Sequence, residues 1–327
     1  MQRSAFVPAW WLPGPHAQTL AARLLRDGRG VTLRRERVDL ADGDFVDLDW
    51  VDTNDVRDKE RALVLVLHGL EGSARSKYAL ELYRQLAAVG LPAVGLNFRS
   101  CSGELNRGPR LYHSGETGDL AYVVDLLSRR LPGCPLGAAG FSLGGNVLLK
   151  YLAESASRAI VAAAAVSVPF DLSAGADVLE RGFARVYRRY LVSKLKRKVA
   201  RKAAVLAGHI EVARVLRART FREFDDAATA PLHGFRNAED YYRRSSSGPM
   251  LEHIGVPTLL VHALDDPFLP ASAVPWEAAR RNPHITPVFT ERGGHVGFVA
   301  GQPWSPVFWA ERRVAAFLSS HLLTAHA

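Results

Sequence analysis

The chain predicts an α/β architecture, a mostly parallel sheet with helices on both faces, and three observations carry that prediction. Short apolar runs such as "ALVLVLHG" and "AIVAAAAVSV" have the composition of strands buried on both faces. Between such runs lie segments with apolar residues three and four apart, stopped by Gly or Pro. Strand and helix then alternate at lengths that suit right-handed crossovers within one sheet.

Taken in order, "VTLRRERVDL" and "DFVDLDWV" alternate polar and apolar residues around "ADGD", an Asp-Gly hairpin signal. "RALVLVLHG" is the first buried strand. Tyr78, Leu82, Leu86 and Val89 then mark a helix that Gly90 stops. "LPAVGLNFR" is a strand, "GDLAYVVDLLSRRL" a helix ended before Pro132, and "PLGAAGFS" a strand followed by the helix "GGNVLLKYLAES". "AIVAAAAVSV" is the fourth strand of this series. After a long interruption come the strand "VPTLLVHAL", the helix "SAVPWEAARR", the strand "ITPVFTE" and the closing helix "WAERRVAAFLSSHL".

With 327 residues, 48% of them hydrophobic and 23% charged, the chain is an ordinary globular protein able to bury a full core. Its two cysteines, Cys101 and Cys134, form no C-x-x-C pair, which argues against a disulfide framework or a zinc site and for a reducing compartment. No cofactor or metal motif is expected. The N-terminal "MQRSAFVPAWWLPGPHAQ" is broken by three prolines, too interrupted for a signal segment, and no apolar run approaches the roughly 20 residues of a membrane helix. A cytoplasmic protein is expected.

The chemistry sits at predicted strand ends. "AGFSLGG" places Ser142 between Gly140 and Gly144 at a strand-to-helix junction. A side chain on so tight a turn needs glycines around it, and gains an exposed hydroxyl above a helix N-terminus. A serine nucleophile needs a base, and the base an orienting acid. "VHALDDPFLP" leaves its strand with two aspartates and "ERGGHVGF" leaves the last strand with His295, giving the order Ser, acid, His. Asp266, followed by Pro267-Phe268-Leu269-Pro270, fits the acid; Asp265 would then bond the loop backbone. The oxyanion needs two N–H donors, and the positions point to Leu143, just after the nucleophile, and Leu70, after His-Gly.

"HGLEGS", "NFRSCSGELNR", "YHSGETGDL", "GFSLGGNVLLKYLAE" and "GGHVGF" together make the chain resemble the YheT-type α/β hydrolases, bacterial relatives of the eukaryotic α/β-hydrolase-domain lipases and esterases. The resemblance runs from "FVPAWWLPGPHAQT" to "WAERRVAAFL". It implies an α/β-hydrolase fold with catalytic Ser142, Asp266 and His295, backbone donors Leu70 and Leu143, and a small-molecule or lipid ester as substrate. Acyl transfer on the same triad is the alternative chemistry; a non-catalytic binding protein is the alternative class. Arg99, Glu104, Arg107 and His113, on the loop after a strand end, could hold a polar substrate group, although a structural ion-pair network is favoured.

Residues 181–222 hold 14 of the 42 Lys and Arg but only one of the 33 Asp and Glu, Glu211. All of the formal +9 therefore comes from this segment. It interrupts the α/β alternation, so the expected organisation is a core of residues 1–170 and 251–327 with a helical cap at 171–250. Leu179, Phe183, Val186, Tyr190, Leu191, Leu195 and Val199 mark one apolar face, expected to turn inward, with Arg and Lys mostly on the others. No nucleic-acid motif or stacking platform accompanies the charge, so no nucleic acid is expected. A solvated lid face is the favoured reading; contact with anionic membranes or acidic lipids is the other.

Overall fold

The computed structural model of the chain describes residues 6–52, 62–156 and 159–323. Its main sheet contains β1 (Leu33–Asp39), β2 (Phe45–Val51), β3 (Leu63–Leu67), β4 (Ala93–Asn97), β5 (Leu136–Phe141), β6 (Ile160–Val166), β7 (Thr258–Ala263) and β8 (Ile285–Thr290). They lie in the order β1-β2-β4-β3-β5-β6-β7-β8. Only β2 runs against its neighbours, and the Asp-Gly turn sets its register with β1, from Asp39↔Phe45 to Leu33↔Val51. From β4 to β8 every pair is parallel.

The period-two pattern of β3 explains why the sheet carries two cores. Leu63, Leu65 and Leu67 pack on one face with α3 (Gly118–Arg130) and α4 (Leu143–Glu154), through Val123, Leu127 and Val147. Val64 and Val66 pack on the other with α2 (Lys77–Ala88) and α13 (Trp309–Leu322), through Leu82, Leu86, Val314 and Leu318. α12 (Trp276–Arg281) joins the first face through Ala279.

Between β6 and β7, residues 172–253 are helical with no strand. The segment comprises α5 (Leu172–Val178), α6 (Ala184–Arg201), α7 (Ala203–Leu206), α8 (Val212–Arg217), α9 (Phe221–Phe224), a π-helical turn at Asp225–Thr229, α10 (Ala230–His233) and α11 (Ala238–Ser245), then a 3-10 turn at Gly248–His253. Val199, Leu206, Val215 and Phe224 give it a small core of its own, completed by Leu111.

Three features differ from the sequence expectation. The N-terminal stretch forms a helix, α1 (Gly14–Leu25), because Pro15 stands in its first turn, where a missing N–H costs nothing. A hairpin of β9 (Val299–Gln302) and β10 (Ser305–Phe308) precedes α13. The apolar face of α6 is split: Phe183, Val186 and Tyr190 are 49%, 54% and 39% exposed, whereas Tyr187 and Val192 are buried. At 100° per residue, Tyr187, Leu191, Leu195 and Val199 form the inward stripe; Val186 and Tyr190 lie about 100° and 60° outside its Tyr187 edge, and Phe183, at the N-cap, about 40° outside it. The cations divide in the same way. Lys198 and Lys202 are buried on the inward side, the exceptions to the expectation that Arg and Lys mostly occupy the other faces.

Candidate active site

Ser142 occupies the turn from β5 into α4 with φ 51° and ψ −120°, a region few non-glycine residues adopt and one that costs about 1–3 kcal/mol. Tight packing around it holds the turn. A Cβ on Gly144 would lie 2.5 Å from the His68 carbonyl oxygen, and one on Gly140 would lie 2.5 Å from the Gly144 oxygen. The Ser142 N–H donates to Val166 O at 2.8 Å, tying the turn to β6.

His295 Nε2 lies 3.0 Å from Ser142 Oγ, and His295 Nδ1 lies 2.9 and 3.1 Å from the two Asp266 oxygens. In the tautomer that satisfies both contacts, Nδ1–H donates to the carboxylate and Nε2 accepts the serine hydroxyl. Asp266 is fully buried and also accepts the Phe268 N–H at 2.8 Å. The Phe268 ring stacks on the imidazole at 4.0 Å. Asp265 points away and accepts the Gly294 N–H at 2.9 Å, and burial raises its carboxyl pKa. The structure thus brings Ser142, His295 and Asp266 together and leaves Asp265 on the loop backbone.

The loop carrying His295 rests on α1, which sequence reasoning missed. Thr19 Oγ1 accepts the His295 N–H at 2.9 Å. The buried Gln18 side chain bonds both N–H and C=O of Val299, and buried Arg26 donates to Val296 O and pairs with Glu311 at 2.7 Å. A Cβ on Gly294 would lie 2.4 Å from Pro15 O, so the close approach of α1 requires glycine there. The one available signal was a Pro at the start of a helix-compatible run.

On the opposite side, Leu143 N–H opens α4 and Leu70 N–H lies in the loop after β3, and neither has a hydrogen-bond partner among the described residues. The flanking N–H groups are taken: Gly69 donates to Tyr78 Oη at 2.8 Å and Glu71 to Tyr112 Oη at 2.7 Å. Below them His68 is wholly buried, donating from Nδ1 to Gly69 O and accepting the Phe98 N–H at Nε2; burial pulls its pKa down to about 4. From above, Lys198 Nζ donates to Glu71 Oε1 at 2.5 Å and Lys194 Nζ to Glu71 O at 3.3 Å. Helix α6 therefore grips the loop that carries Leu70.

These groups open into a pocket of about 1060 Å³, its mouth included, between the sheet's strand ends and the helical segment. Its wall is mostly apolar, with Leu70, Leu143, Leu179, Leu191, Leu195 and Phe268 among the lining. Asp225, on the π-helical turn, lines it too; burial raises its pKa to about 6, opposed by hydrogen bonds from Thr229 and Tyr242 hydroxyls. Of the loop residues considered for substrate binding, Arg99 is buried against Asp119, Asp42 and Asp44, Glu104 pairs with Arg37 and Arg107 with Asp39. Only His113 of the four reaches the pocket wall, beside His233 with ring centroids 4.3 Å apart. His113, Glu116 and His233 bring three ligand-type atoms within 4.8 Å. Arg110 already pairs with Glu116 at 2.6 Å and the Gly115 N–H occupies His113 Nδ1, whereas the buried His233 Nε2 has no hydrogen-bond partner among the described residues.

The family described as alpha/beta hydrolase fold matches residues 62–302. Among curated relatives, "Putative esterase YheT" of Escherichia coli (strain K12) is 42% identical over 320 residues, covering 97% of this chain and 94% of that one. "Phospholipase ABHD3" of Mus musculus is 34% identical over 302 residues, 90% of this chain and 74% of its own. A solved structure, the Pyrococcus furiosus esterase Pf2001, superposes with a TM-score of 0.58 at 17% identity over 89% of this chain and 91% of that one, a likeness of fold. No helix among the described residues is long and apolar enough to cross a membrane.

Proposed function

The chain belongs to the α/β-hydrolase family, in its YheT branch, and is an esterase- or lipase-like hydrolase of carboxylic esters; from that premise we propose that Ser142, His295 and Asp266 carry the reaction through an acyl-enzyme, under a cap formed by residues 171–250. His295 Nε2 takes the Ser142 proton as Oγ attacks the ester carbonyl, and Asp266 holds the imidazole in the required tautomer and stabilises its charge. The oxyanion of the tetrahedral intermediate takes the N–H groups of Leu143 and Leu70 and the positive end of α4. Collapse breaks the carbonyl–alkoxy bond, and His295 returns its proton to the departing alcohol. A water then gives His295 a proton as it attacks the acyl carbon, and the acid leaves as Ser142 is restored.

The observation that carries this reading is the unbroken run of contacts from Ser142 through His295 to Asp266, 3.0 and 2.9 Å long, at the wall of an apolar pocket. That wall supports an ester with an apolar acyl chain, free or drawn from a lipid. A fluorophosphonate probe is expected to label the wild-type protein and to leave folded Ser142→Ala unlabelled, and a series of p-nitrophenyl esters then ranks chain lengths. Equal labelling of the two proteins overturns the assignment of the nucleophile.

A further inference from the structure

Helices α1 and α6, far apart in sequence, lie side by side. The His16 ring sits 4.6 Å from that of Phe183, His16 Nδ1 is 3.1 Å from Tyr187 Oη, and Arg23 donates to Tyr190 Oη at 3.2 Å. His16, Leu20, Arg23 and Leu24 follow helical spacing, so Leu20 and Leu24 stand on the stripe of α1 next to that contact. Both are exposed, Leu24 at 77%, and across the seam Phe183, Val186 and Tyr190 are exposed too. The result is one apolar face shared by two helices, of the kind that a freely soluble monomer seldom shows to water.

The two helices themselves carry charge of one sign. Neither α1 nor α6 contains an Asp or Glu. Arg23, Arg185, Arg189 and Arg197 form no ion pair with any described residue, whereas Arg188 is paired with Glu180. Side chains of Leu, Val and aromatic type flanked by unpaired arginines are the makeup of a helix that lies in the plane of a bilayer interface. Phosphate-backbone binding by a nucleic acid would use the arginines and gain little from exposed Leu24 and Val186.

We propose that α1 and α6 together dock the protein on anionic lipid surfaces, with Leu24, Val186 and Tyr190 at the acyl boundary and Arg23, Arg185 and Arg189 on the headgroup phosphates. The proposal rests on the ester-hydrolase reading for its purpose, since the inward side of α6 walls the pocket with Leu191 and Leu195. Tyr187 of the same helix stacks on Phe268 at 5.0 Å, and Phe268 stacks on His295. Docking through the outer side of α6 therefore sets the catalytic pocket one helix away from the lipid.

The experiment is cosedimentation of the whole protein with vesicles of phosphatidylcholine, with and without phosphatidylglycerol. Hydrolysis of a soluble p-nitrophenyl butyrate is followed in parallel. Wild type is expected to bind the anionic vesicles and to lose most of that binding in 1 M salt, where the Debye length shrinks to roughly 3 Å. Arg185→Glu/Arg189→Glu and Leu24→Glu/Val186→Glu are each expected to weaken vesicle binding roughly tenfold or more. Both should keep hydrolysis of the soluble ester within about twofold, because none of these four side chains touches the pocket. Vesicle binding that is absent, or unchanged in both variants, overturns the docking face. So does a concentration-dependent dimer in sedimentation velocity that Leu24→Glu/Val186→Glu dissolves, since a second copy would then cover it. Loss of soluble-ester hydrolysis in the wild type would instead overturn the catalytic reading and leave the vesicle result standing.

Discussion

Two regions bring reactive or charged side chains to the pocket, the turns at the ends of β5, β7 and β8 and the inward face of α6, and they hold them by different means. In the turns the backbone does the holding. Ser142 is aimed by its own φ of 51° and by a hydrogen bond to β6; Asp266 accepts the Phe268 N–H; His295 is fixed through its own N–H on Thr19. In α6 long side chains find distant partners: Lys198, at the pocket wall, on Glu71, and away from the pocket Lys196 on Ala218 O and the C-cap Lys202 on Asn106 Oδ1. A backbone-held group loses its position when the turn, or the element the turn rests on, changes. A side-chain-held group loses it when either partner changes.

The largest effect that can break this comparison lies in the adjacent aspartates. Asp266→Asn leaves the turn intact but removes the acceptor for His295 Nδ1–H, and is expected to lower kcat by roughly 10³–10⁴-fold. Asp265→Asn keeps an oxygen that can accept the Gly294 N–H, and is expected to lower kcat by less than about tenfold. Steady-state kinetics on one ester, with thermal unfolding as a control, compare the two. A larger loss in Asp265→Asn would move the orienting acid one residue back.

The turn-held part was legible in the sequence because backbone constraints leave marks in residue type. Gly140 and Gly144 around Ser142, the Pro after Asp266, and Gly293-Gly294 before His295 each mark a place where a chain must bend or approach closely. The buried strands were legible for a similar reason, since β3 to β7 are apolar on both faces. Nothing comparable marks α6. Its apolar residues fall on two sides, so spacing alone could not tell inward Tyr187 from outward Tyr190. Burial of Lys198 depends on a carboxylate 127 residues away, which a local pattern cannot contain. Gln18 of α1 and Arg26 at its C-cap were invisible in the same way: polar side chains buried against a loop about 270 residues later look like surface.

The grip of α6 on the Leu70 loop supplies the next test. Lys198 and Glu71 are both nearly buried, and Tyr112 completes the group by donating to Glu71 Oε1 at 2.9 Å. Lys198→Met strands the Glu71 carboxylate and is expected to cost about 3–5 kcal/mol of stability. Adding Glu71→Gln removes the stranded charge, so much of that loss should return in urea unfolding. If Lys198 also positions the Leu70 N–H, kcat in the double variant stays roughly tenfold low with KM little changed, the pattern of a lost transition-state contact. Recovery of kcat along with stability would reduce Lys198 to a structural pair.

The smallest effect concerns how the helical segment holds an acid compared with the turns. Asp266 faces an imidazole, whereas among the described residues the Asp225 carboxylate accepts the hydroxyls of Thr229 and Tyr242, at 2.6 and 2.8 Å, and lies close to Asp226. Burial therefore wins and lifts its pKa to about 6, from the roughly 3.9 of a free aspartate. The sign follows from proton counts. Between pH 4 and 6 the folded state keeps a proton that the unfolded state has already released, so stability falls as pH rises through that window. Above pH 6 both states are ionised and the full penalty is present, up to about 3 kcal/mol for a shift of two units. Asp225→Asn keeps the size of the side chain and cannot ionise. Urea midpoints of the two proteins are expected to lie close at pH 4 and to separate in favour of Asn by pH 6.5, at equal slope. Parallel curves across that range would mean that Asp225 is as well compensated as Asp266, and that the helical segment holds its charges no less firmly than the strand-end turns.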